Sequence, residues 1–407
     1  GRARYSRGPR SAGHPRRPDC SRWPGWSRLA YACAGTAPLN NRAMRIRRPS
    51  ASAGIALIIV MITILVLSVL AGGFAYSMKV ETKLARNANS ETELQWLGRS
   101  GVELARFVLA QQLALGCEPY DSLNQIWAGG PGGQCTSNSP LTGIGLTDVE
   151  LGNGRFSVKI TDLERKFNIN VADEAVLQRA FMLMDADAGE FPAVIAAILD
   201  WVDPDDNTHI GGAESDYYQT LIPPYYAKNR PIDDLSELLL VRGVTPDLYF
   251  GPASTNHTPG RFERQNQRLG RVGTPLGYPV GLMDLFTPVS SGKININTAS
   301  LMVLQMVPFI DENRAAQIIT LRSGYDGQEG TDDDTPAGSQ GMNVLAFLAS
   351  AGLSQQEAAV AARYFDQRSR TFEVTVEAEV NSYKRTFIAI VGRNSPRDVP
   401  VLSFYWR

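Results

Sequence analysis

Oxygen donors crowd one short stretch of the chain. Asp200, Asp203, Asp205, Asp206, Glu214 and Asp216 fall within seventeen positions. A hard divalent cation such as calcium takes roughly six to eight oxygen ligands and tolerates irregular loops. Asp203, Asp205, Asp206, Glu214 and Asp216 are therefore candidate calcium ligands. The spacing is not that of an EF-hand loop, and a solvated acidic loop has the same composition. A second cluster, Asp326, Glu329, Asp332, Asp333 and Asp334, carries the same two readings.

Other chemistry is sparse. The three histidines are His14, His209 and His257, and none belongs to a catalytic spacing. No HExxH, GxSxG or Walker A pattern occurs, so an assembly or binding role is expected rather than catalysis. Cys117 and Cys135 bracket the Gly/Pro-rich run Gly129 to Gly133. They are either a loop-closing disulfide in an oxidising compartment or two unrelated thiols. Cys20 and Cys33 lie far upstream.

Ile294-Asn295-Ile296-Asn297-Thr298-Ala299-Ser300, the run Leu301 to Val307, then Pro308-Phe309-Ile310-Asp311 and a further helical run resemble a helix-hairpin-helix module. DNA-binding versions use glycines so that backbone amides reach a phosphate. Phe309 and Asp311 stand at those places here, and Arg314 is the only base from Ile294 to Leu321. A structural module is the expectation, with no nucleic-acid partner. A membrane-tethered DNA-binding protein of the competence type is the alternative.

Charge agrees. Residues 1–54 hold 12 arginines and one acid, Asp19; taking these from 40 basic and 41 acidic residues leaves 28 and 40, so residues 55–407 carry about −12. Such a body repels phosphate backbones.

The elements that must position these groups begin at an N-terminal segment of two characters. Residues 1–43 are rich in Arg, Gly, Pro and Ser and show no periodicity. Met44 precedes Arg45, Arg47 and Arg48, so 1–43 is read as a mis-annotated extension, or else as a disordered tail. No charge occurs from Pro49 to Met78. Ile55 to Tyr76, about 33 Å as a helix, suits one membrane span, with the arginines on the cytoplasmic side. A cleaved signal peptide and a plain anchor compete with a third reading. Gly54-Ile55 resembles a prepilin peptidase junction, with cleavage after Gly54. Most such junctions have Glu as the fifth mature residue; here it is Ile59.

Helical spacing continues from Lys79 to about Leu115, through Leu94, Leu97, Gly101, Leu104 and Val108, giving one helix of about 60 residues. Gly116 to Gly145 is loop-like. Thr147 to Ile160 reads as a hairpin about Gly152-Asn153-Gly154. Thr371 to Val380 and Thr386 to Val391 read as strands joined at Asn381-Ser382, with Val399 to Trp406 as an edge strand. Between them the chain is mostly helical, over Glu190 to Trp201, Ile232 to Val241, Thr298 to Met306, Asp311 to Leu321 and Ala346 to Phe365. Gly251 to Gly277 and Thr287 to Gly292 are linker-like. The class is α+β. Its parts are a leader at 44–54, a membrane-spanning part at 55–78, the rest of the helix with loop and first strands at 79–170, a helical insert at 171–369 and C-terminal strands at 370–407.

Phe167-Asn168-Ile169-Asn170, Ile198-Leu199-Asp200-Trp201-Val202-Asp203, Gly212-Ala213-Glu214, Tyr217-Tyr218 and Pro223-Pro224-Tyr225 occur in that order. Asn229-Arg230-Pro231, Leu235-Ser236-Glu237-Leu238, Val241-Arg242-Gly243-Val244 and Asn295-Ile296-Asn297-Thr298-Ala299 follow. This series, over about Met44 to Arg407, resembles the minor pseudopilin K family of the type II secretion system. The resemblance implies a pseudopilin fold: a long N-terminal helix on a small antiparallel sheet, with a large helical domain inserted between strands. It implies a tip position on a periplasmic pseudopilus beside minor pseudopilins I and J. It further implies initiation of pseudopilus assembly, export of folded proteins, processing by the prepilin peptidase and anchorage in the inner membrane. Members bind calcium in the helical domain. Ile59 suits a tip subunit, because an unpaired fifth-position carboxylate in lipid would be costly.

Overall fold

The computed structural model describes residues 53–133, 135, 139–186, 189, 191–253 and 278–407. The extension at 1–43, the leader up to Ser52, His14, His257, Glu190 and most of the 251–277 linker lie outside the described residues.

One helix, α1 (Ala53–Ala114), begins the described chain. Its 62 residues contain no proline, and Gly72, Gly73, Gly98 and Gly101 do not interrupt it. Its first part, from Ile55 to Met78, is uncharged, predominantly apolar and exposed. It is the one described helix long and apolar enough to cross a membrane.

The rest of the described chain, from Ala75, forms a unit of its own. There the helix becomes amphipathic. Leu94, Leu97, Val102, Ala105, Val108 and Leu109 recur at three- and four-residue steps and are buried. They pack on a five-stranded antiparallel sheet of β1 (Val149–Leu151), β2 (Gly154–Asp162) and three strands from the C-terminus. Two glycines on this face allow the approach. A Cβ on Gly98 would stand 2.5 Å from the Phe387 ring, and one on Gly101 2.5 Å from Val376.

After β2 the chain leaves the sheet and builds the insert. Its first pieces are β3 (Phe167–Asn168), α2 (Glu174–Leu183), α3 (Phe191–Val202), α4 (Ser215–Tyr218), a 3-10 helix Leu235–Leu240 and α5 (Pro246–Phe250). Next come α6 (Leu282–Leu285), β4 (Phe286–Thr287), β5 (Ile294–Asn295), α7 (Leu301–Gln305) and α8 (Glu312–Arg322). It closes with α9 (Val344–Ser350), α10 (Gln355–Ala361) and β6 (Phe365–Asp366). Short parallel pairs β3–β4 and β5–β6 tie distant parts together. The insert has its own core, including Phe181, Ile198, Trp201, Tyr218, Phe286 and Leu304.

Local chemistry sets these boundaries. Asp173, Ser300, Asp311, Asn343 and Ser354 each cap a helix by accepting a backbone N–H at the third helical position. The expected single helix from Ala346 to Phe365 is two helices. Gly352, at φ +86°, and the capping box Ser354/Glu357 break it, and Phe365 belongs to β6. Ile232 to Val241, expected as a helix, forms the shorter 3-10 segment Leu235–Leu240. Thr287, expected in a linker, is the second residue of β4.

The chain returns through β7 (Thr371–Val380), β8 (Tyr383–Gly392) and β9 (Val401–Trp406). Sheet order is β1-β2-β7-β8-β9. The β7–β8 turn places Asn381 and Ser382 at positive φ, as a type I′ turn requires.

β2 and β7 are neighbours in register from Gly154↔Val380 to Asp162↔Phe372, so the insert leaves and re-enters at one end of one strand pair. A buried polar hub closes that junction. Asp162 accepts from Asn295 Nδ2 at 3.0 Å, Thr298 Oγ1 at 2.6 Å and Ser369 Oγ at 2.6 Å. Asp121 pairs with Arg393, both almost fully buried, and accepts from Ser369 N. Glu164, with no exposed surface, accepts from Ser291 N at 3.3 Å and Arg370 N at 3.0 Å. Its second oxygen has no partner among the described residues.

The loop after α1 is pinned to the sheet core. Trp127 is buried edge-on to Phe372, with ring centroids 5.3 Å apart. A disulfide joins Cys117 to Cys135. Between them Glu118 is buried, accepting from Gln112, Gln125 and the Cys135 amide.

Candidate functional site

The acidic stretch is organised by the end of α3. That helix buries Val194, Ile195, Ile198 and Trp201, and the same register turns Asp200 inward. Asp200 has no exposed surface. Its Oδ1 accepts from the His209 amide at 3.0 Å and from His209 Nδ1. Its Oδ2 accepts from Ala213 N at 2.7 Å. The loop can close this tightly because position 212 is glycine: a Cβ there would stand 2.0 Å from Asp200 Oδ2. One oxygen of Asp200, one of Asp203 and a ring nitrogen of His209 lie within 4.8 Å of one another.

Glu214 is 3% exposed, yet neither carboxylate oxygen has a hydrogen-bond partner among the described residues. The same holds for Asp203 Oδ1 and Asn229 Oδ1. Burial, then the charges of Asp200, Asp203 and Asp206, push the Glu214 carboxyl up to about 7. Asp203 is raised by burial and by Asp205 and Asp200. His209 is raised chiefly by its hydrogen bond to Asp200. Leaving buried carboxylate oxygens unsatisfied beside other acids is expensive. Unpartnered oxygens of this kind are what a hard, oxygen-seeking divalent cation would take as ligands, and Asp203, Glu214 and Asn229 are the residues that could offer them.

Of the sequence candidates, the structure gathers Asp203, Asp206 and Glu214 around Asp200. Asp206 accepts from Asn229 Nδ2 at 2.9 Å. Asp205 instead caps its own loop, accepting from Asn207 N at 2.8 Å. Asp216 lies exposed in the first turn of α4. Asp200 belongs to the acidic cluster legible in the sequence, whereas His209 and Asn229 join the arrangement without having been candidates. Asn229 shows no signal in composition; its φ of +48° and its bond to the Asp205 carbonyl place it.

The second acidic cluster is occupied by its own loop. Asp333 accepts from the amides of Tyr325 and Asp326 and from Thr331, which hold its carboxyl below the ordinary range. Glu329 pairs with Arg322. Arg322 is 4% exposed and donates to the carbonyls of Ile296 and Ala299. In the hairpin module, Arg314 donates to the Phe309 carbonyl at 2.7 Å and meets Glu357 at 3.3 Å. Arg314 and Arg322, the arginines of the hairpin module, are thus both committed to partners within the chain.

Comparison with known proteins agrees with this architecture. Residues 154–250, from β2 to the end of α5, match the family model described as type II secretion system (T2SS), protein K. The type II secretion system protein K of Pseudomonas aeruginosa is 26% identical over 298 residues, 69% of this chain and 75% of that protein. The protein of the same name from Klebsiella pneumoniae is 24% identical over 335 residues, 79% of this chain and 86% of that one. The fold is similar to a chain in the crystal structure of the GspK-GspI-GspJ complex of the enterotoxigenic Escherichia coli type 2 secretion system. The TM-score is 0.53 at 18% identity, covering 79% of this chain and 99% of that one. The family match falls on the strand β2, the helix α3 that carries Asp200 and the loop that surrounds it, and relatives of the same name match 69% and 79% of the chain: together these findings support the type II secretion system protein K family for this chain.

Proposed function

We propose that this chain is a minor pseudopilin at the tip of the type II secretion pseudopilus. It is anchored in the inner membrane by Ile55 to Tyr76, with its folded body in the periplasm. On this reading it assembles with minor pseudopilins I and J, helps initiate the pseudopilus and serves export of folded proteins. The observation that carries the reading is the division of α1. Residues 55–78 are apolar and exposed, while Leu94 to Gln112 line the sheet core. Such a helix holds a folded body at a lipid surface while offering its apolar part to lipid or neighbouring helices. Cleavage after Gly54 by the prepilin peptidase leaves Ile55 first and Ile59 fifth. With no carboxylate at that position, the subunit has no charge to pair with the N-terminus of a subunit ahead of it.

Two measurements test this. N-terminal sequencing of membrane-extracted protein should begin at Ile55 only where the prepilin peptidase is active; a start near Tyr76 refutes the reading. The detergent-solubilised chain should co-elute with subunits I and J, and failure of all three to associate counts against the tip role. The acidic loop is proposed as a calcium site through Asp203, Glu214 and Asn229. Calcium titration followed by thermal melting should raise the melting temperature of the parent and not of Glu214→Gln. An equal rise in both removes Glu214 from the site.

A further inference from the structure

The helix-hairpin-helix module retains one feature that the tip role does not use. Between α2 and the hairpin joining α7 to α8 lies an open groove of about 390 Å³. Its walls carry Met182, 63% exposed, and Phe309, 49% exposed. Phe309 sits at φ +68°, the left-handed region, where a bulky residue costs about 1–3 kcal/mol. Glycine at that position would relieve the strain and remove an exposed ring. The fold instead keeps an aromatic ring on the hairpin tip at a conformational cost.

The groove also holds a cation without a counter-charge. Arg179 makes one long hydrogen bond, 3.4 Å to the Met306 carbonyl, and among the described residues no carboxylate pairs with it. Arg314 is consumed by the Phe309 carbonyl and Glu357. Asp311 lines the groove too, but its carboxylate caps α8 through the Arg314 amide at 2.8 Å. Arg179 is thus the available charge beside two exposed apolar side chains, in a body of net negative charge.

We infer that this groove docks a peptide segment of a partner protein that carries an acidic residue next to a large apolar side chain. The apolar group seats between Met182 and Phe309, and the carboxylate meets the Arg179 guanidinium. Methionine gives an adaptable apolar wall, and arginine is enriched among the residues that carry binding energy at interfaces. Bidentate pairing would favour a carboxylate over a neutral side chain.

The test is selection of a random twelve-residue peptide display library on the detergent-solubilised full chain. The parent should enrich peptides with Asp or Glu within two positions of Leu, Ile, Met or Phe. Arg179→Gln should lose the acidic preference, and a consensus peptide should bind it at least tenfold more weakly by fluorescence anisotropy. Phe309→Gly should bind the same peptide at least tenfold more weakly while melting no lower than the parent. Lowered melting would give the ring a structural role and overturn the inference. So would the absence of any acidic-apolar consensus, equal enrichment by parent and both variants, or displacement of the peptide by a short DNA duplex.

Discussion

Glu164 offers the sharpest test of the junction between sheet and insert. Its carboxyl is pushed up to about 7 by burial and by the neighbouring charge of Asp162. In the unfolded chain it ionises with an ordinary carboxyl pKa, about 4.3. Below that pH both states hold the proton and nothing is lost. As pH rises from there to about 7, the unfolded chain has released the proton while the folded one keeps it, so stability falls. Above about 7 the full cost applies: two to three pKa units, on the order of 3 kcal/mol. The side chain is fully buried, so solvent does not discount this figure. Glu164→Gln keeps an oxygen for the amides of Ser291 and Arg370 and removes the ionisation. At about 2 cal/mol/K per residue of unfolding entropy, a unit of this size should gain about 4 °C at pH 8. The assay is thermal melting of parent and variant in detergent from pH 5 to pH 8. The difference between the two removes contributions from Asp162 and Glu214, which share the direction. A gain at pH 8 that shrinks towards pH 5 is expected. A pH-independent difference, or a variant less stable at pH 8, refutes the account.

Other consequences are as direct. Gly98→Ala drives a methyl group into the Phe387 ring and should cost about 1–3 kcal/mol in denaturant unfolding, whereas Gly116→Ala, with open space around it, should cost far less. Arg393→Met leaves Asp121 buried and uncompensated and should destabilise by about 3–5 kcal/mol; replacing both, Asp121→Leu with Arg393→Met, should recover much of the loss. Replacing Cys117 and Cys135 together with serine opens an 18-residue separation and should lower stability by about 3 kcal/mol, read as a lower midpoint under non-reducing conditions only.

Much of this architecture is legible from local pattern. The 3-4 spacing of α1 and the alternation Phe372, Val374, Val376, Ala378, Val380 each report one buried face, because burial imposes period on sequence. What pattern misses is whatever depends on distant partners. Gly116 to Gly145 looks like loop, yet it carries Trp127 and Leu141 into the core, since irregular backbone leaves no periodic trace of its anchors. The two helices at 344–361 read as one because both halves are rich in helix formers, and the cap at Ser354 decides the break. At the acidic loop, charge density identifies the region. It cannot separate Glu214, whose oxygens are buried and unpaired, from Asp216, which is exposed two residues later. That difference comes from where the loop is pinned by Asp200.

The single doorway through which the insert leaves and rejoins the sheet also bears on the order of folding. Asp162 and Phe372 are register partners 210 positions apart. Closing an open loop of that length carries an entropic cost that grows with the logarithm of its size. If the insert condenses first on its own core, the ends of β2 and β7 are brought together and the remaining closure is short. β7, β8 and β9 are also synthesised after the insert, so the sheet is completed only once the whole insert has emerged. A chain cut before Thr371 would then keep a folded insert on a helix whose sheet-facing side has lost most of its cover.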